Sequence, residues 1–255
     1  MLGDEVARGR RVLLGVDFAL GYPAGLVRAA DLGDGRSMPL WASLWSFVSS
    51  AIDDTSSNAN NRFDVARSLN RRVAPAGPGP FWGCPAHEQD AHLTAKRPAG
   101  FPYDRPAGLR RRRLVEQRIP RAHEVWKLYT TGSVGSQTLL GIARLADLWL
   151  DPALKPHLKR WPFDTGFTPA PLPNQAPGVV IAEVYPSLVN ARADQLLASH
   201  DDVTIRDQAQ VLALADHFAR LDRAGRLAAL FDRPQGLAPA DTERCKQEEG
   251  WVLGV

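Results

Sequence analysis

The sequence predicts an α/β protein, and three observations carry that reading. Two short apolar runs, Val12 to Phe18 and Val179 to Tyr185, have the length and composition of buried strands. Several longer stretches place apolar residues at helical spacing, and segments rich in proline and glycine separate them. With 255 residues, 44% hydrophobic and 23% charged, the chain is large enough for a substantial core and is unlike a disordered or coiled-coil sequence.

Val12 to Phe18 is bounded by charge before it and by Gly21-Tyr22-Pro23-Ala24-Gly25 after it, so it reads as a strand ending in a turn, with Asp17 at its C-terminal end. Leu40, Trp41, Leu44, Trp45, Phe47 and Val48 predict a helix over 40–48, and Arg62 to Leu69 predicts a second. The proline- and glycine-rich stretch 74–109 reads as a long structured loop, a feature that is usually functional where it occurs inside a compact chain. Arg110 to Arg113 opens a basic, helix-like stretch, and Leu139 to Leu150 has helical spacing. Val179 to Tyr185 is the most strand-like run and is stopped by Pro186. Helices then follow near 187–198, over 206–223 and around 227–231. The strongest, 206–223, carries Ile205, Ala209, Leu212, Ala215, Phe218, Ala219 and Leu221 on or near one face, with Thr204 and Asp207 at its start. These elements predict a single domain over 1–255 with an inserted loop-rich and helical region at about 40–178. Two strands make a poor sheet, so weak strands must hide in the loops, or a partner such as a second copy in a homodimer must supply them.

Charge and cysteine content narrow the function classes. Lys and Arg total 31 against 28 Asp and Glu, a net +3 that is no nucleic-acid signature unless the charges cluster. The only dense cluster is Arg110 to Arg113, with Arg105, Arg118 and Arg121 nearby and Trp82, Trp126 and Tyr129 as stacking faces; its plainer reading is a solvated helix face. Cys84 and Cys245 lie far apart and outside any CxxC pair, which fits a reducing cytoplasm, and neither a signal peptide nor a membrane-spanning run is expected.

Asp17 at one strand end, Glu183 in the other strand and Asp207 at a helix start are the candidate ligands for Mg²⁺ or Mn²⁺, because carboxylates gathered at strand C-termini can hold such ions for phosphoryl chemistry. The alternative is structural: a turn cap, an ion pair with an arginine and a helix cap. Gly132 to Gln137 has the small residues of an anion-binding turn but no Gly-Lys-Ser/Thr ending, and a tight turn capping a helix from about Thr138 explains it equally. Asn58, Asn60, Asn61 and Arg62 offer hydrogen bonds to a base, sugar or phosphate, or to their own backbone. Cys84, His87 and His92 have zinc-type donors without an obvious fourth ligand, and no Gly-x-Ser-x-Gly nucleophile turn is present.

Taken together, Val16 to Gly25, Asn58 to Phe63, Phe81 to Pro85, Gly132 to Gln137, Ala182 to Ser187 and Glu249-Gly250-Trp251 resemble, in order and over nearly the whole chain, a bacterial family often labelled molybdopterin-guanine dinucleotide synthesis protein. The first and fifth blocks also resemble predicted nucleases with a ribonuclease-H-like fold. That resemblance implies a ribonuclease-H-like mixed sheet and a metal site of Asp17, Glu183 and Asp207. The family pattern begins with an earlier strand bearing a Val-Asp-Trp-Ser-like motif, whereas only Asp4 precedes Asp17 here, so the first strands of the sheet are expected to be missing. The function expected is a divalent-metal-dependent phosphodiester hydrolase acting on nucleic acid or nucleotide, with Asn61, Arg62, Arg105, Ser136 and Gln137 facing the substrate. The alternative is a non-catalytic nucleotide- or pterin-binding protein linked to molybdenum cofactor synthesis.

Overall fold

The computed structural model describes residues 1–104, 108–120, 122–172, 176–200 and 202–255. Among these, nine α-helices surround one small sheet: α1 (Leu2–Ala7), β1 (Arg11–Val16), α2 (Leu26–Ala29), α3 (Leu40–Ala51), α4 (Arg62–Val73), α5 (Leu114–Arg118), α6 (Val134–Asp147), β2 (Leu158–Arg160), β3 (Gly178–Glu183), α7 (Asn190–Ser199), α8 (Arg206–Arg223) and α9 (Pro239–Arg244). No helix among the described residues is long and apolar enough to cross a membrane.

The two expected strands are present and neighbouring. They pair in parallel with Arg11 opposite Gly178 and Val16 opposite Glu183, and the three-residue β2 joins the other side of β3, giving the order β1-β3-β2. The third strand did lie hidden in a loop. Strand β3 is buried along its whole length, as its unbroken apolar run requires for a central parallel strand. Alternation divides the sheet between cores: Val12, Leu14 and Val16 pack with Val179 and Ile181, whereas Leu13 packs with Val180 and Ala182.

Strand β1 is an edge. Gly178 N–H donates to Arg10 O (3.2 Å) and Val184 N–H to Val16 O (2.9 Å), so the even-numbered residues of β1 turn their backbone groups to β3. The N–H and C=O of Arg11, Leu13 and Gly15 therefore face outward, where no strand pairs among the described residues.

The loop over 74–109 is held by Asn70 of α4, which is fully buried. Its amide donates to Phe81 O (2.9 Å) and His92 O (2.8 Å), and its oxygen accepts from Phe81 N–H (2.9 Å). Gly79 is required beside it, since a Cβ there would lie 2.6 Å from the Asn70 side-chain oxygen. A mixed α/β class is thus the observed one.

Two local expectations change. The arginine run is not a helix face: Arg110 to Arg113 is extended and bent, and helix begins only at Leu114. On α8 the residues buried are Ala209, Ala213 and Leu214, while Ile205 and Leu212 are exposed, because α7 covers a narrower stripe than the spacing suggested.

Candidate functional site

The C-terminal end of β1 opens into a cleft of about 1230 Å³, formed by the free edge of β1, one side of α8 and the segments around Pro171 and Phe231. Asp17 projects into it from the strand end. Asp207 enters from the first turn of α8, with Gln210 three residues later on the same side of that helix. Gln137 reaches the same space from α6. The packing of α6 explains its position: Gly141, one turn on, lies so close to the Phe18 ring that a Cβ would sit 2.4 Å from it, and this draws the Gln137 side of α6 over the strand end.

The Asp17 carboxyl is pushed up from 3.8 to about 6, first by the protein mass around it and then by the negative charges of Glu183 and Asp207. A carboxyl destabilised as an anion by like charges is a place where a cation or a proton is favoured. The rest of the cleft is largely apolar, with Leu13, Val180, Leu214 and Phe218 along it, and Arg10 and Arg11 stand at the start of β1.

Glu183 is not part of that cleft, although the sequence grouped it with Asp17 and Asp207. Register gives the reason: Glu183 pairs with Val16, so it shares the face of Val16, and Asp17, one residue on, is on the other. On its own face Glu183 accepts both arms of the Arg113 guanidinium, each at 2.7 Å. Arg113 Nε–H also donates to Glu116 Oε1 (2.7 Å), and an Nη1–H donates to Glu249 O (3.0 Å). All of these side chains are buried. Of the three carboxylates expected together, Asp17 and Asp207 line the cleft and Glu183 does not. Consistent with this, no group of three or more His, Cys, Asp or Glu that could hold a metal occurs among the described residues.

The knot extends to the end of the chain. Glu249 accepts from Ala24 N–H (3.1 Å) and Leu114 N–H (2.7 Å), and Glu248 accepts from Gly25 N–H (2.9 Å). Gly21 closes it, since a Cβ there would stand 2.0 Å from Glu248 O.

The other substrate candidates separate from the cleft. Asn61 accepts from Asp53 N–H (2.8 Å) and donates to Ala51 O (2.9 Å), and Arg62 donates to Asn60 Oδ1 (2.7 Å). Ser136 donates to Leu128 O, and the N–H groups of Gly135, Ser136 and Gln137 are bonded to backbone carbonyls, so these three groups of the Gly132–Gln137 turn are not offered to an anion. Arg105 lies outside the described residues. His92 faces Gly77 O and His87 is exposed beside Glu88, leaving no zinc set with Cys84. Gln210 and the Arg113 knot were not singled out in the sequence; the Arg-x-x-Glu spacing of Arg113 and Glu116 is the one local sign of the latter.

Carboxylate and carboxamide oxygens are hard donors, and Mg²⁺ is commonly held by only one or two carboxylates plus water and substrate phosphate. Asp17, Asp207, Gln137 and Gln210 fit one such ion and do not furnish two. No protein-family model, no curated protein and no solved structure matches this chain.

Proposed function

We propose that the protein is a ribonuclease-H-like hydrolase of phosphodiesters that uses a single Mg²⁺ or Mn²⁺ at the mouth of the β1–α8 cleft. The observation that carries this reading is the convergence of Asp17, Asp207, Gln137 and Gln210 at the C-terminal end of a parallel strand, where α/β proteins bind ligands. Asp17 and Asp207 would hold the ion, which when bound supplies charge neutralisation on a phosphoryl group and a more acidic water. The amide N–H groups of Gln137, and the one of Gln210 that is not given to Asn190 Oδ1 (3.2 Å), would donate to non-bridging phosphate oxygens and fix the phosphorus for in-line attack by water. Arg11, at the opposite end of β1 from Asp17, would attract a phosphate farther along a polymeric substrate, Arg10 being paired with Glu5 at 3.0 Å, and the apolar wall would limit water to the reacting end.

The test is calorimetric titration of Mn²⁺ into the wild type, Asp17→Asn and Asp207→Asn, followed by hydrolysis of bis(p-nitrophenyl) phosphate and of labelled single-stranded DNA and RNA. Binding and cleavage that both disappear in folded variants support the reading. A folded wild type that binds no Mn²⁺ overturns it.

One observation favours the second reading, a nucleotide- or pterin-binding protein without cleavage. Glu183 is neutralised by Arg113, so the cleft has one carboxylate fewer than the related nucleases are expected to use. In that case GTP or a pterin binds equally with and without chelator, and no phosphodiester is cut.

A further inference from the structure

The arginine run that the cleft does not use borders a second cavity, of about 1180 Å³, between the turn before α2, residues 101–104 and 108–114, and the end of α9. Its four consecutive arginines meet different fates. Arg113 turns inward and is saturated by carboxylates, and Arg111 pairs with Glu124 at 2.8 Å. Arg110 and Arg112 are half-buried, line the cavity and make no ion pair among the described residues. The Nε of Arg112 is shut off from solvent with no hydrogen-bond partner, a cost that a protein normally avoids or uses. Arg244, more than a hundred residues away in sequence, completes the wall, so four arginines face Asp104 and Asp241, and the latter is already paired with Arg244 at 2.8 Å.

We propose that this cavity binds a phosphate monoester of about nucleotide size, with Arg110 and Arg112 as the anion clamp. A guanidinium fork matches phosphate oxygens in pairs, and two forks from one bent segment suit a dianion better than a single carboxylate. Leu109, Phe101 and Leu114 give the same cavity an apolar wall for the uncharged part of the ligand, and its volume exceeds what inorganic phosphate alone would fill. The inference does not depend on the chemistry of the Asp17 cleft.

The test is titration of 5′-AMP and of inorganic pyrophosphate into the full chain, the Arg110→Gln and Arg112→Gln variants and the Asp207→Asn variant, with thermal melting to confirm folding. Loss of a charged, paired hydrogen bond should weaken 5′-AMP binding by about tenfold or more in either arginine variant, and Arg112→Lys should recover part of it. Asp207→Asn should bind as the wild type does. The assignment is overturned by absence of 5′-AMP binding to the folded wild type, by affinity unchanged in both arginine variants, or by loss of binding in Asp207→Asn. A 5′-phosphorylated hexanucleotide is the last arm. Its binding where 5′-AMP does not bind would make the arginines a nucleic-acid surface and overturn the small-ligand proposal.

Discussion

Asp17 and Glu183 end neighbouring strands of one sheet, yet they live in opposite chemical regimes. Glu183 is buried, and its charge is met by both arms of Arg113; Asp17 opens into a cleft, has no cationic partner among the described residues, and is held up at about 6 by its surroundings. One residue of register separates the two outcomes, because successive side chains on a strand face opposite sides. A carboxylate paired on the inner side is tied into the fold, and its neighbour opens to the cleft. The difference can be broken from either side.

The largest effect should come from Arg113→Met. It leaves Glu183 and Glu116 buried without their cation, and removing one member of a buried ion pair costs about 3–5 kcal/mol. Urea denaturation should show that loss, and acidification should return part of it, since the stranded carboxylates then fold as neutral acids. The sign follows from linkage: a carboxyl whose folded-state pKa lies above its unfolded value destabilises the fold as pH rises through that interval. Adding Glu183→Gln to Arg113→Met should also recover stability. If the single variant is as stable as the wild type at neutral pH, the knot does not hold the fold.

Gly21→Ala attacks the same knot through shape. The new Cβ would collide with Glu248 O at 2.0 Å, and the clash is with backbone, which cannot rotate away. Overpacking of this kind costs about 1–3 kcal/mol, which for a chain of this size lowers Tm by about 2–4 °C per kcal/mol. Calorimetric melting reads it directly; an unchanged Tm would mean that the C-terminal turn is not clamped against residues 21–25.

On the cleft side the effect is smaller and depends on pH. Asp17 titrates near 6 in the fold against an ordinary 3.8, so it weakens the fold progressively between about pH 4 and 6 and leaves it weakest above that. Burial likewise lifts Glu116 to about 7 against the pull of Arg113, so part of the slope belongs to the knot. Asp17→Asn, in chelator, should therefore raise Tm modestly at pH 7, leave it unchanged at pH 3.5 and flatten only the portion of the profile between about pH 4 and 6. A variant that melts in parallel with the wild type at every pH would place Asp17 in an ordinary aqueous environment.

Much of this contrast was written in local pattern, and the decisive part was not. Periodicity is enough for β1, β3, α3, α4, α6 and α8, because each has an apolar stripe or run that its neighbours must cover. Strand β2 escapes it: Leu158-Lys159-Arg160 has one apolar residue, and Arg160 gains its place by lying over the Trp149 ring at 3.9 Å and the Trp41 ring at 4.2 Å. Asp17, Asp207 and Gln137 could be singled out from strand ends, a helix start and a small-residue turn. That Glu183 faces away from them depends on the register of strands offset by 167 positions in sequence, a non-local quantity that composition does not encode. The same holds for the arginine run, whose members look alike in sequence and differ only in what the fold puts opposite each.

Tyr22 gives the smallest expected effect and the sharpest check on the knot's polarity. Its ring packs between Phe81 and Trp126 with centroids 5.2 and 5.3 Å away, while its hydroxyl is fully buried with no hydrogen-bond partner among the described residues. The hydroxyl is therefore desolvated without return, and burial pushes its pKa far above the ordinary value, so it stays neutral at every accessible pH. Tyr22→Phe keeps the aromatic contacts and removes only the stranded oxygen. Stability should hold or rise by up to about 1 kcal/mol in urea unfolding, with no change in the pH profile. A clear loss would show instead that the hydroxyl reaches Arg113 or Glu116 through a bridging water, and the knot would then have one more member than its direct bonds reveal.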